Sequence, residues 1–519
     1  MSEILIQNAQ IVDGTGQRSY EGSLIVDGDS VRVMQGDTAS INASRTIDGS
    51  KYIVCPGFID MHSHSDLMLL NEPRHEAKVR QGVTTEVLGM DGLSYAPASP
   101  VNLELLLKYL SAINGIPPEG VRWNSVRDFL SLFDTTCSCN TVYFVPHAAI
   151  RVEAMGWGDR PPNATEQLKM QELAIQGMKD GAFGFSTGLT YAPGAYSDTE
   201  ELTGICQSIR DLGGIYVTHA RYSLGDRLLD PFREALTIGR RSGIPVHISH
   251  YHNPVAGMGQ KMVDLVDHGR DSDIDVTYDQ YPYPAASTVL HSLLPHWVHA
   301  GGPNELLKRI KDRRIRDEMG DSIDPQWGMT LDHYIISHVK TSNNKEWEGR
   351  SLTDLAEAKG KGMVDAICEF LIEEDLEVAF VARTGNTENI RTIVKHPAQM
   401  VGSDGIMTGG YPNPRTYGTF PFILDQLVRE EGLLTLEEAV RKMSALPAQR
   451  LGLKDRGVLI DGMKADIVLF DKDNIRANAT FDDPKQYPSG IDYVIVNGRL
   501  VIDEGEHTGE FPGRALKSQ

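Results

Sequence analysis

Gly57-Phe-Ile-Asp-Met-His-Ser-His64 is a short apolar run that ends in His-x-His. On a strand, side chains alternate between faces, so His62 and His64 share one face. The same kind of ending recurs down the chain. Thr84-Thr-Glu-Val-Leu-Gly-Met-Asp91 ends in a carboxylate, and Thr141-Val-Tyr-Phe-Val-Pro-His147 in an imidazole. Ala182-Phe-Gly-Phe-Ser-Thr187 ends in hydroxyls. Gly214-Ile-Tyr-Val-Thr-His219, Ile244-Pro-Val-His-Ile-Ser-His250, Ile274-Asp-Val-Thr-Tyr-Asp279 and Gln399-Met-Val-Gly-Ser-Asp404 continue the series. Helical stretches such as 199–212 and 226–242 lie between them. Strands alternating with helices predict a parallel α/β fold. Eight such units predict a (β/α)8 TIM-like barrel over 56–454. The C-terminal strand ends of such a barrel form one active-site face, so scattered residues converge there.

The two ends of the chain differ from this middle. Ile4-Leu-Ile6 and Leu24-Ile-Val26 near the start, and Ala465-Asp-Ile-Val-Leu-Phe470 and Tyr493-Val-Ile-Val496 near the end, read as short strands bounded by Gly and Asp. Neither end has enough strands to stand alone. Residues 1–55 plus 455–519 are therefore expected to form one small β-sandwich, with the barrel inserted between them. A gap at 287–377 separates barrel strands 7 and 8. Its charged helical stretches, such as 304–319, predict an inserted lid-like segment rather than a bare loop.

Composition narrows the functional classes. The chain has 519 residues and a net charge of −21. An acidic protein of this kind is a poor fit to nucleic acid or an anionic membrane surface. No stretch approaches the ~18 continuous apolar residues of a membrane span. Met1-Ser-Glu-Ile carries no signal-peptide pattern, and five scattered cysteines do not make a disulfide framework. The expected setting is the cytoplasm and the expected partner a small-molecule substrate; composition leaves a homo-oligomer open.

Each candidate site residue has an ordinary structural explanation when taken singly. His-x-His fits two loop histidines, and one strand-end His fits a hydrogen-bonded core residue. Asp404 before Gly405 fits a turn. His247, three residues before His250, is expected to be such a core histidine. Jointly, His62, His64, His219, His250 and Asp404 at strands 1, 5, 6 and 8 fit a metal-dependent hydrolase. In such a site Asp404 can accept a proton from water and return it to a leaving nitrogen. His252 is placed just past strand 6, and His147 is a candidate for contact with substrate or with a ligand.

These residues resemble the D-aminoacylase (N-acyl-D-amino-acid deacylase) family of the amidohydrolase superfamily. The resemblance runs from about residue 4 to 500. It is carried by Cys55-Pro-Gly-Phe-Ile-Asp-Met-His-Ser-His64, Gly188-Leu-Thr-Tyr-Ala-Pro-Gly194, Thr218-His-Ala-Arg221, Asp279-Gln-Tyr-Pro-Tyr283, and Pro412-Asn-Pro-Arg-Thr-Tyr-Gly-Thr-Phe-Pro421. It implies hydrolysis of the amide of an N-acyl-D-amino acid, with zinc held by His219 and His250 and a second site at His62 and His64. It further implies Asp404 as general base and acid, and Arg415, Tyr281 and Ser287 as substrate-carboxylate anchors. Arg221 and Tyr191 stand in the matching motifs as further substrate contacts.

Two positions depart from the family pattern. Asp91 stands where the family has a metal-binding Cys, and His252 stands where many relatives carry Lys. A carboxylate is a harder ligand than a thiolate, so one or two divalent ions held with Asp91 could include manganese or iron as well as zinc. The alternatives are a related hydrolase acting on a cyclic amide or imide, carbamoyl, dipeptide or lactone bond, and a non-catalytic barrel.

Overall fold

The computed structural model describes residues 2–36, 38, 41–320 and 331–518. Part of the first terminal segment (1, 37, 39 and 40), part of the 287–377 insertion (321–330) and residue 519 lie outside the described residues.

The barrel strands come in the order the sequence predicts. Phe58–Asp60, Val83–Leu88 and Asn140–Tyr143 pair in parallel. Val145–Pro146, Gly184–Gly188, Ile215–His219, Val246–Ile248, Val276–Gln280 and Gln399–Val401 form a second parallel sheet. Backbone bonds join the two: Phe144 N–H to Leu88 O (3.1 Å), Phe183 N–H to Tyr143 O (2.9 Å) and Met61 N–H to Val401 O (3.2 Å). The ring of eight strands is thereby continuous, a (β/α)8 barrel. Gly405–Ile406 then pairs with Ser63–His64, extending strands 8 and 1 above the ring. Ile59, Met61, Val87, Phe144, Ile215 and Met400 pack together in one apolar cluster below the polar strand ends.

Both chain ends contribute strands to one hydrogen-bonded nine-stranded sheet. Val468 pairs with Cys55, which joins the C-terminal strands to the N-terminal ones. Ser2–Ile11 serves several neighbours. Its start pairs with Ala43–Asp48 and its end with Ile53–Pro56. The register shifts between Ile6 and Ala9, where Asn8 takes φ 60°. A bulge of this kind lets one strand bend between partners. Alternation puts Ile467, Leu469 and Ile495 into a small core with Ile4, Ile6, Leu24 and Val26. Val468, Phe470, Val494 and Val496 face the other way, into the main core. The sheet is thus buried on both faces and welded to the barrel.

Helix starts are sharper than periodicity alone predicts. The stretch 226–242 becomes helical at Asp230–Ser242, because the Asp226 carboxylate accepts the N–H groups of Leu228, Leu229 and Asp230 and holds a turn first. The stretch 304–319 divides into Pro303–Lys311 and Arg313–Met319 at Asp312, whose side chain caps the second helix through Arg314 N–H. Within the insertion, Val378–Ala382 is the middle strand between Ala286–Val289 and Tyr334–Val339. That small antiparallel sheet stands over the barrel mouth and continues past residue 377.

Candidate active site

The candidate ligands sit where strands stop. His62 and His64 flank Ser63, whose hydroxyl turns the opposite way and donates to Glu86 (2.9 Å). Asp91 lies in the turn after strand 2, His219 is the last residue of strand 5, His250 follows strand 6, and Asp404 follows strand 8. Asp91, His250 and Asp404 have φ values of 55°, 33° and 48°. Left-handed backbone at a non-glycine residue is costly and persists where the surroundings enforce it, commonly at functional sites. At Gly402 any Cβ would lie 2.7 Å from both the Asp279 carboxylate and the His62 Cβ. Glycine there lets strands 8 and 1 approach each other.

The Asp91 carboxylate is the centre of the cluster. Oδ1 is 3.4 Å from His62 Nε2, and Oδ2 lies 3.4–3.6 Å from His64 Nε2, His219 Nδ1 and His250 Nε2. Two ligand groups overlap at this residue: His62, His64, Asp91 and Asp404, and Asp91, His219 and His250. Within each group one donor atom per residue lies within 4.8 Å of the others. His219 Nδ1 is 2.8 Å from His250 Nε2. All six residues are buried, and neither nitrogen of His62 nor Oδ1 of Asp91 has a hydrogen-bond partner. Buried polar atoms are normally paired. Unpaired imidazole nitrogens beside a carboxylate oxygen are a donor set that fits a divalent cation such as zinc.

Electrostatics binds the same groups together. Burial alone would suppress charge on His62, but Asp91, Asp279 and Asp404 hold its pKa well above the ordinary value. Asp91 is held well below the carboxylate range against burial, by His62, His250 and His219. Asp404 is likewise held low, by Arg415 first and then His62 and His64. Arg415 is fully buried. Its Nη2 pairs with Asp404 Oδ2 at 2.8 Å and its Nε donates to the Asp404 carbonyl at 2.8 Å. Asp404 Oδ1 is left facing His64 (3.3 Å) and His62 (3.7 Å).

A cavity opens over these atoms. Tyr191, Tyr281, Ser287 and His252 line it with His64, Asp91, His219, His250 and Asp404. The Tyr191 ring lies 4.9 Å from His219, and its hydroxyl is 2.8 Å from Thr288 Oγ1. Tyr281 lies under the Arg415 guanidinium at 4.2 Å. Ser287 donates to the Phe380 carbonyl (2.9 Å). Burial, with His250 alongside, lowers the His252 pKa to about 4, so a neutral ring faces the cavity. Arg221 does not line the cavity: it pairs with Glu234 (3.0 Å) and donates to Ala195 O (3.0 Å). His147 is bound to Glu201 (2.8 Å), and His247 lies between Thr277 (2.8 Å) and Asp279 (3.1 Å).

Several participants were not picked out from the sequence. Asp279 accepts the His250 N–H (2.9 Å) and lies 3.5 Å from His62 Nδ1; its position at a strand end was a usable signal. Tyr222 lines the cavity with its hydroxyl 3.2 Å from His250 Nδ1. Lys78, fully buried, reaches Asp60 (2.7 Å), Ser403 (2.5 Å) and Glu86 (3.2 Å), bracing strands 1, 2 and 8 beneath the ligands. Nothing in its local sequence distinguishes Lys78 from a surface lysine.

The chain is similar to known proteins in both sequence and fold. A family model described as amidohydrolase family matches residues 45–502. An N-acyl-D-aspartate deacylase of Alcaligenes xylosoxydans xylosoxydans is 33% identical over 99% of this chain and 95% of its own length. The crystal structure of a D-aminoacylase superposes with a TM-score of 0.83 at 31% identity over 100% of both chains. So does an N-acyl-D-glutamate deacylase from Bordetella bronchiseptica, solved with zinc and a phosphonate mimic of the tetrahedral intermediate (TM-score 0.83, 31% identity, 99% of both chains).

Proposed function

The chain belongs to the amidohydrolase family, and from that premise we propose that it hydrolyses the amide bond of N-acyl-D-amino acids, releasing a carboxylic acid and a D-amino acid. The observation that carries this reading is the Asp91 carboxylate shared by two ligand groups, with Asp404 Oδ1 at its edge. His219 and His250 with Asp91 would hold one divalent ion, zinc by preference. His62 and His64, again with Asp91, would hold a second. Bound there, such an ion supplies Lewis acidity, easing deprotonation of water and polarising the scissile carbonyl.

The protein's own groups do the rest. Arg415 occupies Oδ2 of Asp404 and fixes the carboxylate, so Oδ1 is the oxygen that meets water. Asp404 is ionised at neutral pH and can take the proton of the attacking water. As the C–N bond breaks, it passes that proton to the departing nitrogen. Buried aromatic walls exclude bulk water from these steps. The substrate carboxylate is assigned to the side lined by Tyr281 and Ser287; Arg415, behind Tyr281 and paired with Asp404, does not itself line the cavity. Zinc-loaded protein should turn over N-acyl-D-amino acids, and Asp404→Asn should lower kcat by about 10²–10⁴-fold, the usual weight of a general acid–base group. Turnover unchanged by Asp404→Asn would refute the assignment.

One observation favours a second reading. Arg415 is already engaged by Asp404, which suits a neutral cyclic amide as well as a carboxylate-bearing substrate. Turnover of hydantoins but of no N-acyl-amino acid, with Arg415→Ala harmless, would establish that alternative.

A further inference from the structure

Building on the deacylase reading, we infer that this site selects N-acyl-D-amino acids with an uncharged, apolar side chain and rejects those with a second carboxylate. Family membership does not decide this point, since the relatives include deacylases named for acidic amino acids. The cavity wall does. Its inner face carries two aspartates, and its ionisable residues are otherwise histidines and tyrosines; among the described residues neither Lys nor Arg lines it. The segment 321–330 contains neither in its sequence.

The nearby guanidinium groups each have a partner, with Arg221 Nη2 and Arg383 Nε left without a hydrogen bond. Arg415 is held by Asp404, and Arg221 by Glu234. Arg383 adjoins the lining residues Ala382 and Thr384, yet its guanidinium packs on the Phe481 ring at 5.0 Å and donates to the Phe481 carbonyl at 3.0 Å. The outer wall comes from the insertion and its neighbours. Tyr334 and Phe380 stack with centroids 5.2 Å apart and, with Leu293, Ile113 and Pro254, supply apolar surface. Ser287, Thr288, Ser292 and Thr384 also line the wall, and the first three hydroxyls are hydrogen-bonded within the protein. A side-chain carboxylate placed at that outer wall would lose water and gain no cation. An apolar side chain would instead gain burial.

The test compares kcat/KM of the zinc-loaded enzyme for N-acetyl-D-leucine, N-acetyl-D-phenylalanine, N-acetyl-D-aspartate and N-acetyl-D-glutamate. The apolar pair should exceed the acidic pair by at least about 100-fold, the scale on which unpaired polar groups are rejected. Acidic substrates within tenfold of the apolar ones would overturn the inference. If none of the four is hydrolysed, the deacylase reading fails by itself. Calorimetric binding of the same ligands then decides the selectivity. Tighter binding of N-acetyl-D-leucine supports it, and equal or tighter binding of N-acetyl-D-glutamate overturns it. Leu293→Arg should raise the acidic-to-apolar ratio at least tenfold, with Thr384→Lys as the substitute should the first variant not fold. A folded variant with an unchanged ratio counts against the inference.

Discussion

At the scale of single residues, Asp91 carries the most consequence. One carboxylate offers two oxygens, and here they face four imidazoles from strands 1, 5 and 6. Gly89 and Gly92, with φ of 75° and 63°, shape the turn that brings it there. A Cβ on Gly92 would come within 2.9 Å of the Gly188 backbone nitrogen, so that turn also has no spare room. If Asp91 is a ligand common to two ions, Asp91→Ala should lower bound metal per chain as well as rate. Elemental analysis after dialysis checks this directly. Full metal content with preserved turnover would leave Asp91 a turn residue. The sequence marked Asp91 as standing at the family's metal-binding Cys position, able to ligate or bridge one or two ions. Which imidazoles each of its oxygens faces is not encoded by any local pattern, because His219 and His250 arrive from far along the chain.

At the scale of elements, what matters is how strands 1, 2 and 8 are held. Lys78, Glu86, His75, Asp60 and Ser403 form a fully buried ionic network beneath His62 and Asp404. Burial opposes charge on Glu86, yet His75 and Lys78 hold its pKa down to about 2. The ordinary value is 4.5. The stabilisation from Glu86 is therefore complete above pH about 4.5 and lost as pH falls toward about 2. Glu86→Gln should cost roughly 3–5 kcal/mol near neutral pH by leaving Lys78 short of a partner. Thermal melts of metal-free protein should show a large gap between wild type and variant at pH 7 and a narrower one at pH 3. A constant gap would mean the loss is one of packing. Gly402→Ala belongs to the same elements. Its added Cβ would collide with Asp279 and His62, so metal affinity and activity should both fall while the far terminal sheet stays folded, as circular dichroism and metal titration can report. The alternating strand and helix pattern was readable because it repeats along the chain. The brace was not, because its residues come from 60 to 403 and only the closed ring makes them neighbours.

At the scale of the whole molecule, charge and site pull in opposite directions. The chain carries −21, so an anionic substrate approaches against a repulsive field, whereas a neutral cyclic amide feels none of it. Inside the cavity the decisive charges are buried and close, and salt screens them little; outside, the field is long-ranged and salt screens it strongly. Raising ionic strength from about 10 mM to about 150 mM shortens the screening length from about 30 Å to about 8 Å. For an N-acyl-D-amino acid, kcat/KM should therefore rise over this range by about twofold or more, with kcat nearly constant, because only the approach is eased. A neutral substrate should give a flat profile. Steady-state kinetics in a single buffer with added salt separates the two. A fall in kcat/KM with salt would mean that a positive surface guides the substrate, which the acidity of the chain and the absence of Lys and Arg from the described cavity lining both argue against.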